Sequence, residues 1–213
     1  MLIGRLFFVA VTCVTVVIAG GGVDFVRRPV GAIYVLLWGA WWTATLLGRA
    51  RGVRSSYDQT QRAIMSVGIV VFVLLIVAPP WEYARFESPI PRDGWLAWTG
   101  LALFAAGIAL QSSAMWALRG LYTSRLGVQP GHRIVTRGVY RWVRHPGYLS
   151  YIMSLTGIAF ALSSLIALVL AILSVLLILW RIPREEEMLA TEFGAEYQTY
   201  MQQTKWRLLP LVY

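Results

Sequence analysis

Residues 148–180 read YLSYIMSLTGIAFALSSLIALVLAILSVLLILW, an apolar run that carries no charged side chain. As one straight helix it would measure roughly 50 Å, against a hydrocarbon core of about 30 Å. The pair Ser163-Ser164 lies near its middle. Two slightly short spans joined in a tight hairpin are therefore expected, and one long tilted helix projecting from the bilayer is the other reading. Working outward, further apolar runs cover Leu2–Ala19, Val30–Leu47, Ala63–Pro79 and Trp95–Leu118. The expected fold is all-α, a polytopic transmembrane helical bundle of six spans whose last two form a hairpin, or of five if the hairpin is a single helix.

Composition agrees. Of the 213 residues 58% are hydrophobic and only 14% charged, with a mean hydropathy of +0.63. A soluble domain of this size needs more charge to cover its surface. The net charge of +9 raises the question of nucleic acid. The arginines, however, fall between the apolar runs, so the charge is read as a cytoplasmic excess facing anionic membrane lipids, with no nucleic-acid partner. The segment 48–62 carries Arg49, Arg51, Arg54 and Arg62 against Asp58. The segment 119–147 carries Arg119, Arg125, Arg133, Arg137, Arg141 and Arg144 with no acid. Residues 82–94 instead carry Glu82, Glu87 and Asp93 against Arg85 and Arg92. The positive-inside rule puts the first two segments in the cytoplasm and the third outside. With six spans both termini lie inside, and a multi-pass protein of a bacterial-type inner membrane is expected. The run 2–19 has no basic stretch beyond Arg5 and no small-residue cleavage site, so it reads as a retained span.

Cys13 is the single cysteine, which rules out an intrachain disulfide and a cysteine-based metal site. Only His132 and His145 remain as nitrogen ligands, so no metal site is expected. Gly20-Gly21-Gly22 reads as a turn between spans, since no strand precedes it, and the phosphate-cradling G-x-x-x-x-G-K-[ST] pattern is missing. Gln111, Ser112 and Ser113 in the fourth run are polar; hydrogen bonding between helices explains such residues more often than a pore does.

Two stretches carry chemistry. In the first, Gly131-His132-Arg133-Ile134-Val135-Thr136-Arg137-Gly138-Val139-Tyr140 is followed by Arg144-His145-Pro146-Gly147-Tyr148. Pro146 suits the first position of a helix. The positive end of that helix beside Arg144 and His145 suits a phosphate or carboxylate. Anchoring among lipid headgroups is the plainer explanation, although it requires neither a histidine nor a Gly-x-Tyr. In the second, Arg181-Ile182-Pro183-Arg184 leads into Glu185-Glu186-Glu187 and a stripe of Leu189, Phe193, Tyr197 and Tyr200. That pattern predicts a helix of about 20 residues starting near Pro183, with the acids favoured by the dipole at its start. The stripe itself reads as packing. Trp206, Leu208, Leu209 and Leu211-Val212-Tyr213 are expected to tuck back against the membrane.

Taken in order, His132 to Tyr140, Arg144 to Tyr148, Arg181 to Leu189 and Phe193-Gly194-x-x-Tyr197-x-x-Tyr200 resemble the isoprenylcysteine carboxyl methyltransferase family, which is similar to membrane phospholipid methyltransferases. The resemblance covers roughly the last 90 residues, with the hairpin between its halves; the first three spans carry no signature of it. It implies S-adenosylmethionine as cofactor, held by a cytoplasmic loop and the C-terminal helix and not by a soluble nucleotide-binding domain. It further implies a membrane methyltransferase core over residues 95–213, with residues 1–94 as scaffold or substrate cavity. Carried over residue by residue, His132, Val135, Gly138 and Tyr140 contact the cofactor, His145, Pro146 and Tyr148 wall it, and Glu185 and Glu186 bind its polar end. One departure is Ser150, where the family usually has glycine.

The implied chemistry is methyl transfer to a lipophilic, membrane-embedded acceptor entering from the bilayer, with positioning and exclusion of water as the main contributions. Arg144 and Glu186 are the candidate catalytic residues. Arg144 is placed to orient a carboxylate acceptor bidentately, and Glu186 to take a proton if the acceptor is an amine. Two other readings of the same residues stand beside this one. An NADPH-dependent reductase of sterol-like substrates would want arginines for a 2′-phosphate, whereas Glu185 and Glu186 suit an ammonium. A non-enzymatic protein binding anionic lipid would need the arginines and not His145.

Overall fold

The computed structural model describes residues 2–48, 59–88, 90–118 and 134–209. Among them the chain is helical: α1 (Leu2–Ala19), the short α2 (Val23–Arg27), α3 (Pro29–Gly48), α4 (Gln59–Arg85), α5 (Trp95–Leu118), a 3-10 turn (Gly138–Arg141), α6 (Pro146–Ala161), α7 (Leu165–Phe193) and α8 (Ala195–Gln203). Four of these, α3, α4, α5 and α7, are long and apolar enough to cross a membrane, and α1 is a slightly shorter apolar helix. The chain is a multi-pass membrane protein. Its outer surface says the same: Phe7 and Val14 of α1, Val70 and Val73 of α4, and Val169, Leu173 and Leu176 of α7 are exposed, which only lipid makes favourable. Exposed Trp95 and Trp98 mark one end of α5 and Trp116 the other, as interfacial tryptophans do.

Residues 148–180 resolve into a hairpin, not one long helix. Ser163 takes a left-handed φ of 47°. Ser164 caps α7, its hydroxyl accepting from the Ala167 amide at 3.0 Å. Glu82, at the end of α4, completes the corner by accepting the Leu165 and Ile166 amides at 3.1 Å each and the Ser164 hydroxyl. Gly20-Gly21-Gly22 forms the expected turn, with Gly21 and Gly22 at positive φ. The run ending at Pro79 continues further than expected: α4 carries Pro79 and Pro80 inside it and runs on to Arg85. Buried proline is tolerated where neighbouring helices surround the weakened ladder.

Two expectations about the C-terminal region fail. No helix starts at Pro183; α7 runs through it to Phe193, and Arg184 Nη1 reaches back to the Trp180 carbonyl at 2.8 Å, serving the ladder that proline disturbs. The acids Glu185–Glu187 therefore lie well inside a helix and owe nothing to a helix start. The apolar stripe is also split, because Gly194, at φ 54°, ends α7 and a new helix begins at Ala195.

One core ties the chain together. Tyr34, Trp38, Trp41 and Trp42 of α3 pack on Phe104 of α5, and that cluster continues into Leu155 and Ile158 of α6 and Ala167 and Leu170 of α7. Packing thus crosses residue 94. Gln111 accepts from Trp41 Nε1 and donates to Thr45 Oγ1 at 3.1 Å, the interhelical bonding expected of it. Ser112 and Ser113 do not share that role; they are exposed and donate to carbonyls of their own helix. The closest approach is α5 on α6. A Cβ on Gly100 would stand 2.2 Å from the Ala161 amide nitrogen, and one on Gly157 would stand 2.6 Å from that of Phe104. The contact continues toward the start of α6, where the chemistry-bearing residues sit: a Cβ on Gly107 would stand 2.9 Å from the Ser150 carbonyl oxygen.

Candidate active site

Pro146 is the first residue of α6 and His145 its N-cap, so the preceding Arg144 leaves the helix end at a defined angle. Opposite lies the last third of α7, which at roughly 1.5 Å per residue extends beyond a 30 Å core and carries Glu185 and Glu186 to the membrane surface. Between them passes the chain after α8. Arg144 and His145 donate backbone amides to the carbonyls of Trp206 and Arg207, both at 2.9 Å. Leu208 anchors this C-terminal strap by inserting beside Ile178 and Ile182, with Tyr148, Leu149 and Ile152 around it. Of the residues expected to tuck back, Leu208 is buried on the helices, Trp206 is partly buried, Leu209 is half exposed, and residues 211–213 lie outside the described residues.

Glu186 is the centre. It is buried, and both its oxygens are committed. Oε1 accepts from Arg144 Nε at 2.8 Å and lies 3.1 Å from His145 Nε2. Oε2 accepts from Arg207 Nε at 2.9 Å and lies 2.9 Å from Arg207 Nη2 in the ion pair. Burial alone pushes a carboxyl up. Here the hydrogen bonds from His145, Arg144 and Arg207 outweigh it and hold the group at about 2, well below the ordinary 4.5. So weak a base does not take a proton from an ammonium near neutrality, which removes the reason for assigning Glu186 a proton-accepting role.

Arg144 is almost as fully engaged. Besides Glu186, its Nη1 donates to the carbonyls of Thr204 at 2.8 Å and Lys205 at 2.9 Å. Nη2 has no partner among the described residues. The bidentate grip expected of Arg144 is therefore closed off, since each edge of the guanidinium has one nitrogen already in use. One nitrogen, Nη2 with its two N–H groups, remains for a ligand.

Glu185, one residue earlier on α7, accepts the Tyr148 hydroxyl and lies 4.0 Å from Arg181 Nε. It is a quarter exposed, unlike its neighbour. The Tyr148 ring stacks on His145 with centroids 5.6 Å apart, and the Arg181 guanidinium carbon lies over the same Tyr148 ring, 5.8 Å from its centroid. Arg144, His145, Pro146, Tyr148, Glu185 and Glu186 are thus brought together from two stretches about 40 positions apart.

The loop residues contribute less directly. Gly138 opens the 3-10 turn at φ +63°, a value that disfavours any side chain, and a Cβ there would meet Ala117 Cβ of α5 at 3.4 Å. The carbonyl of Tyr140 accepts from the Tyr200 hydroxyl at 2.8 Å, which ties the turn to α8. Burial raises the Tyr200 and Tyr197 hydroxyls well above the ordinary tyrosine value, so both stay protonated donors. Val135 is half-buried in the irregular chain leading to the turn. His132 lies outside the described residues, as do Arg119, Arg125 and Arg133 of the basic loop and Arg49, Arg51 and Arg54. Sequence reasoning missed Arg207 and Thr204. Arg207 stands 21 positions from Glu186, so no local periodicity points from one to the other.

A sequence model of the isoprenylcysteine carboxyl methyltransferase (ICMT) family matches residues 99–191, from α5 through Glu185 and Glu186. A probable protein-S-isoprenylcysteine O-methyltransferase of Oryza sativa subsp. indica is 30% identical over 122 residues, covering 54% of this chain and 62% of that one. The protein-S-isoprenylcysteine O-methyltransferase of Mus musculus is 32% identical over 122 residues, covering 54% and 42%. The chain thus spans less than two thirds of the length of these curated relatives. The solved structure of the eukaryotic intramembrane Ras methyltransferase ICMT shares the fold, with a TM-score of 0.60 at 22% identity over 92% of this chain and 73% of that one. Over its C-terminal half the chain is ICMT-like, and the resemblance read from the motifs holds.

Proposed function

We propose that this ICMT-like chain is an integral membrane methyltransferase that uses S-adenosylmethionine to methylate a carboxylate on a lipophilic acceptor held in the bilayer. The observation that carries the reading is the cluster itself: Arg144, His145 and Tyr148 at the start of one span meet Glu185 and Glu186 on the next, at the membrane surface. The matched family model covers these same two stretches. The site faces the cytoplasm, by the arginine excess of residues 119–147 in a bacterial-type inner membrane.

The residues present fit the cofactor. When bound, it supplies a methyl group already activated on a positively charged sulfur. Glu185, partly exposed and bonded to Tyr148, is assigned to its ammonium. The stacked His145 and Tyr148 rings offer an aromatic wall to a cation. The first turn of α6, opened by Pro146, offers backbone N–H groups to an anion. Arg144 orients the acceptor carboxylate through Nη2, a single charge-assisted hydrogen bond. Such an acceptor is already a nucleophile and needs no base, which agrees with a Glu186 held ionised at about 2. The strap of residues 204–208 closes one side of the site against water. A reductase is disfavoured because Glu185 and Glu186 set two carboxylates among the arginines that a 2′-phosphate would want unopposed.

The test is a methyl-transfer assay on the detergent-purified protein, with methyl-labelled S-adenosylmethionine and a farnesylated cysteine bearing a free carboxyl. Calorimetry with S-adenosylhomocysteine runs alongside. Label released as methanol by alkali, with saturable S-adenosylhomocysteine binding, supports the reading. Label stable to alkali moves the chemistry to nitrogen or sulfur, and failure to bind S-adenosylhomocysteine sinks the proposal.

A further inference from the structure

Arg207 belongs to none of the motifs that point to methyl transfer, yet it makes two contacts to the one oxygen of Glu186 that Arg144 and His145 leave open. Arginine and carboxylate prefer to meet bidentately, two parallel N–H donors on two oxygens. Arg144 and Glu186 do not meet that way. Only Nε is used, on Oε1, because Oε2 is turned toward Arg207. If Oε2 were released, rotation of the carboxylate would let Glu186 take Arg144 through Nε and Nη2 together. That would turn one of the two N–H groups of Nη2, the guanidinium nitrogen left without a partner among the described residues, onto Glu186 and tie Nη2 down beside it.

From this we infer that Arg207 is a positioning residue for the methyl transfer proposed above: by holding Glu186 Oε2, it keeps Arg144 Nη2 available to the acceptor. The inference rests on the methyltransferase reading and adds a residue that reading does not use. The surroundings support it. The strap that carries Arg207 also supplies the Thr204 and Lys205 carbonyls that fix Arg144 Nη1, and its backbone binds the amides of Arg144 and His145. Leu208, buried at 4% exposure, anchors that strap on α7. One short segment thus restrains the Arg144 backbone and Nη1 directly, and its Nε through Glu186, while Nη2 stays uncommitted. The role is one of geometry; Arg207 touches Glu186, and acts on the acceptor only through Arg144.

The experiment compares Arg207→Gln and Arg207→Lys with the wild-type protein in the methyl-transfer assay. It resolves kcat and KM for the acceptor, and measures the affinity for S-adenosylhomocysteine separately. For Arg207→Gln, kcat/KM for the acceptor is expected to fall about 10- to 100-fold, as losses of supporting contacts around a site do. S-adenosylhomocysteine affinity is expected to stay within about threefold, since Glu185 and the ring wall are untouched. Arg207→Lys, which still places a cation on Oε2, is expected to recover most of the loss. Unchanged turnover in Arg207→Gln overturns the inference. So does a parallel loss of cofactor affinity and folding that lysine does not repair, because that pattern marks a merely structural strap. A wild-type protein that neither binds S-adenosylhomocysteine nor transfers methyl strikes the proposed function first, and this inference with it.

Discussion

At its N-terminal end α7 is held by Glu82, whose carboxylate accepts two backbone amides and a capping hydroxyl. Near its C-terminal end α7 carries Glu186, whose carboxylate accepts only side-chain donors, from Arg144, His145 and Arg207. Both are acids at membrane surfaces, and both link elements far apart in sequence. The difference lies in what each would leave behind. Without Glu82, a helix start loses its acceptors, and water or Ser164 replaces them in part. Without Glu186, the Arg144 and Arg207 guanidiniums face each other beside His145 with no counter-charge between them. Backbone partners mark a joint of the fold; a crowd of charged side chains marks a place kept at a cost in stability, as functional sites are.

The sharpest way to break that contrast is Glu186→Gln. The amide leaves Arg144 and Arg207 facing each other across a neutral group, a loss of about 3–5 kcal/mol by the measure of broken buried pairs. Methyl transfer is expected to fall at least 100-fold, and thermal unfolding in detergent is expected several degrees lower. Wild-type turnover from this variant would reduce the cluster to packing.

Acid should reproduce part of that loss. Glu186 sits at about 2 in the folded protein against an ordinary 4.5. A lowered carboxyl stabilises above its unfolded value and stops doing so as protons reach the folded site. The contribution, about 3 kcal/mol at most, is therefore expected in full above pH 4.5 and lost progressively between 4.5 and 2. Unfolding followed by tryptophan fluorescence across this window checks it. In Glu186→Gln the slope over the same window should flatten, and an equal slope in both proteins would assign the acid sensitivity elsewhere.

Glu82→Ala tests the other corner. Loss of the amide acceptors is expected to cost about 1–2 kcal/mol, the range for a missing helix cap. Turnover and S-adenosylhomocysteine affinity should remain within about twofold, since the change sits at the far end of α7 from Arg144. A loss of activity larger than the loss of stability would mean that the two corners are coupled through the hairpin, and the contrast would fail.

How much of this was readable beforehand follows the range of the interactions. The spans and the hairpin were legible because hydropathy is local and Ser163-Ser164 breaks a run too long for the bilayer. Arg144, His145, Tyr148, Glu185 and Glu186 were legible as a group through the ordered motifs. The extension of α7 through Pro183 was misread, because proline's local penalty was weighed without the hairpin packing that holds the helix straight. The short α2 left no signal, being five residues whose place is set by Phe25 packing on Tyr34 and Tyr83. Arg207 was invisible for a related reason: its partner is 21 positions away, and only the fold of the strap brings them together.

The smallest expected effect lies between the two corners, at Ser150, where the family usually has glycine. A serine at the tightest helix contact suggests a wedge that widens the gap between α5 and α6 or reshapes an opening to the bilayer. The local geometry argues otherwise. Ser150 is fully buried, and its hydroxyl donates to the Gly147 carbonyl at 2.7 Å within its own helix. It is the Ser150 carbonyl, present in every residue, that faces Gly107 of α5, where an added Cβ would stand 2.9 Å from it. The hydroxyl is thus folded away from the helix contact. Ser150→Ala should then cost no more than about 1 kcal/mol, the net worth of one neutral hydrogen bond, and leave turnover unchanged. A change in acceptor KM would show instead that the hydroxyl shapes the acceptor's path, and would place a determinant of specificity on the bundle side of the site rather than beside Glu186.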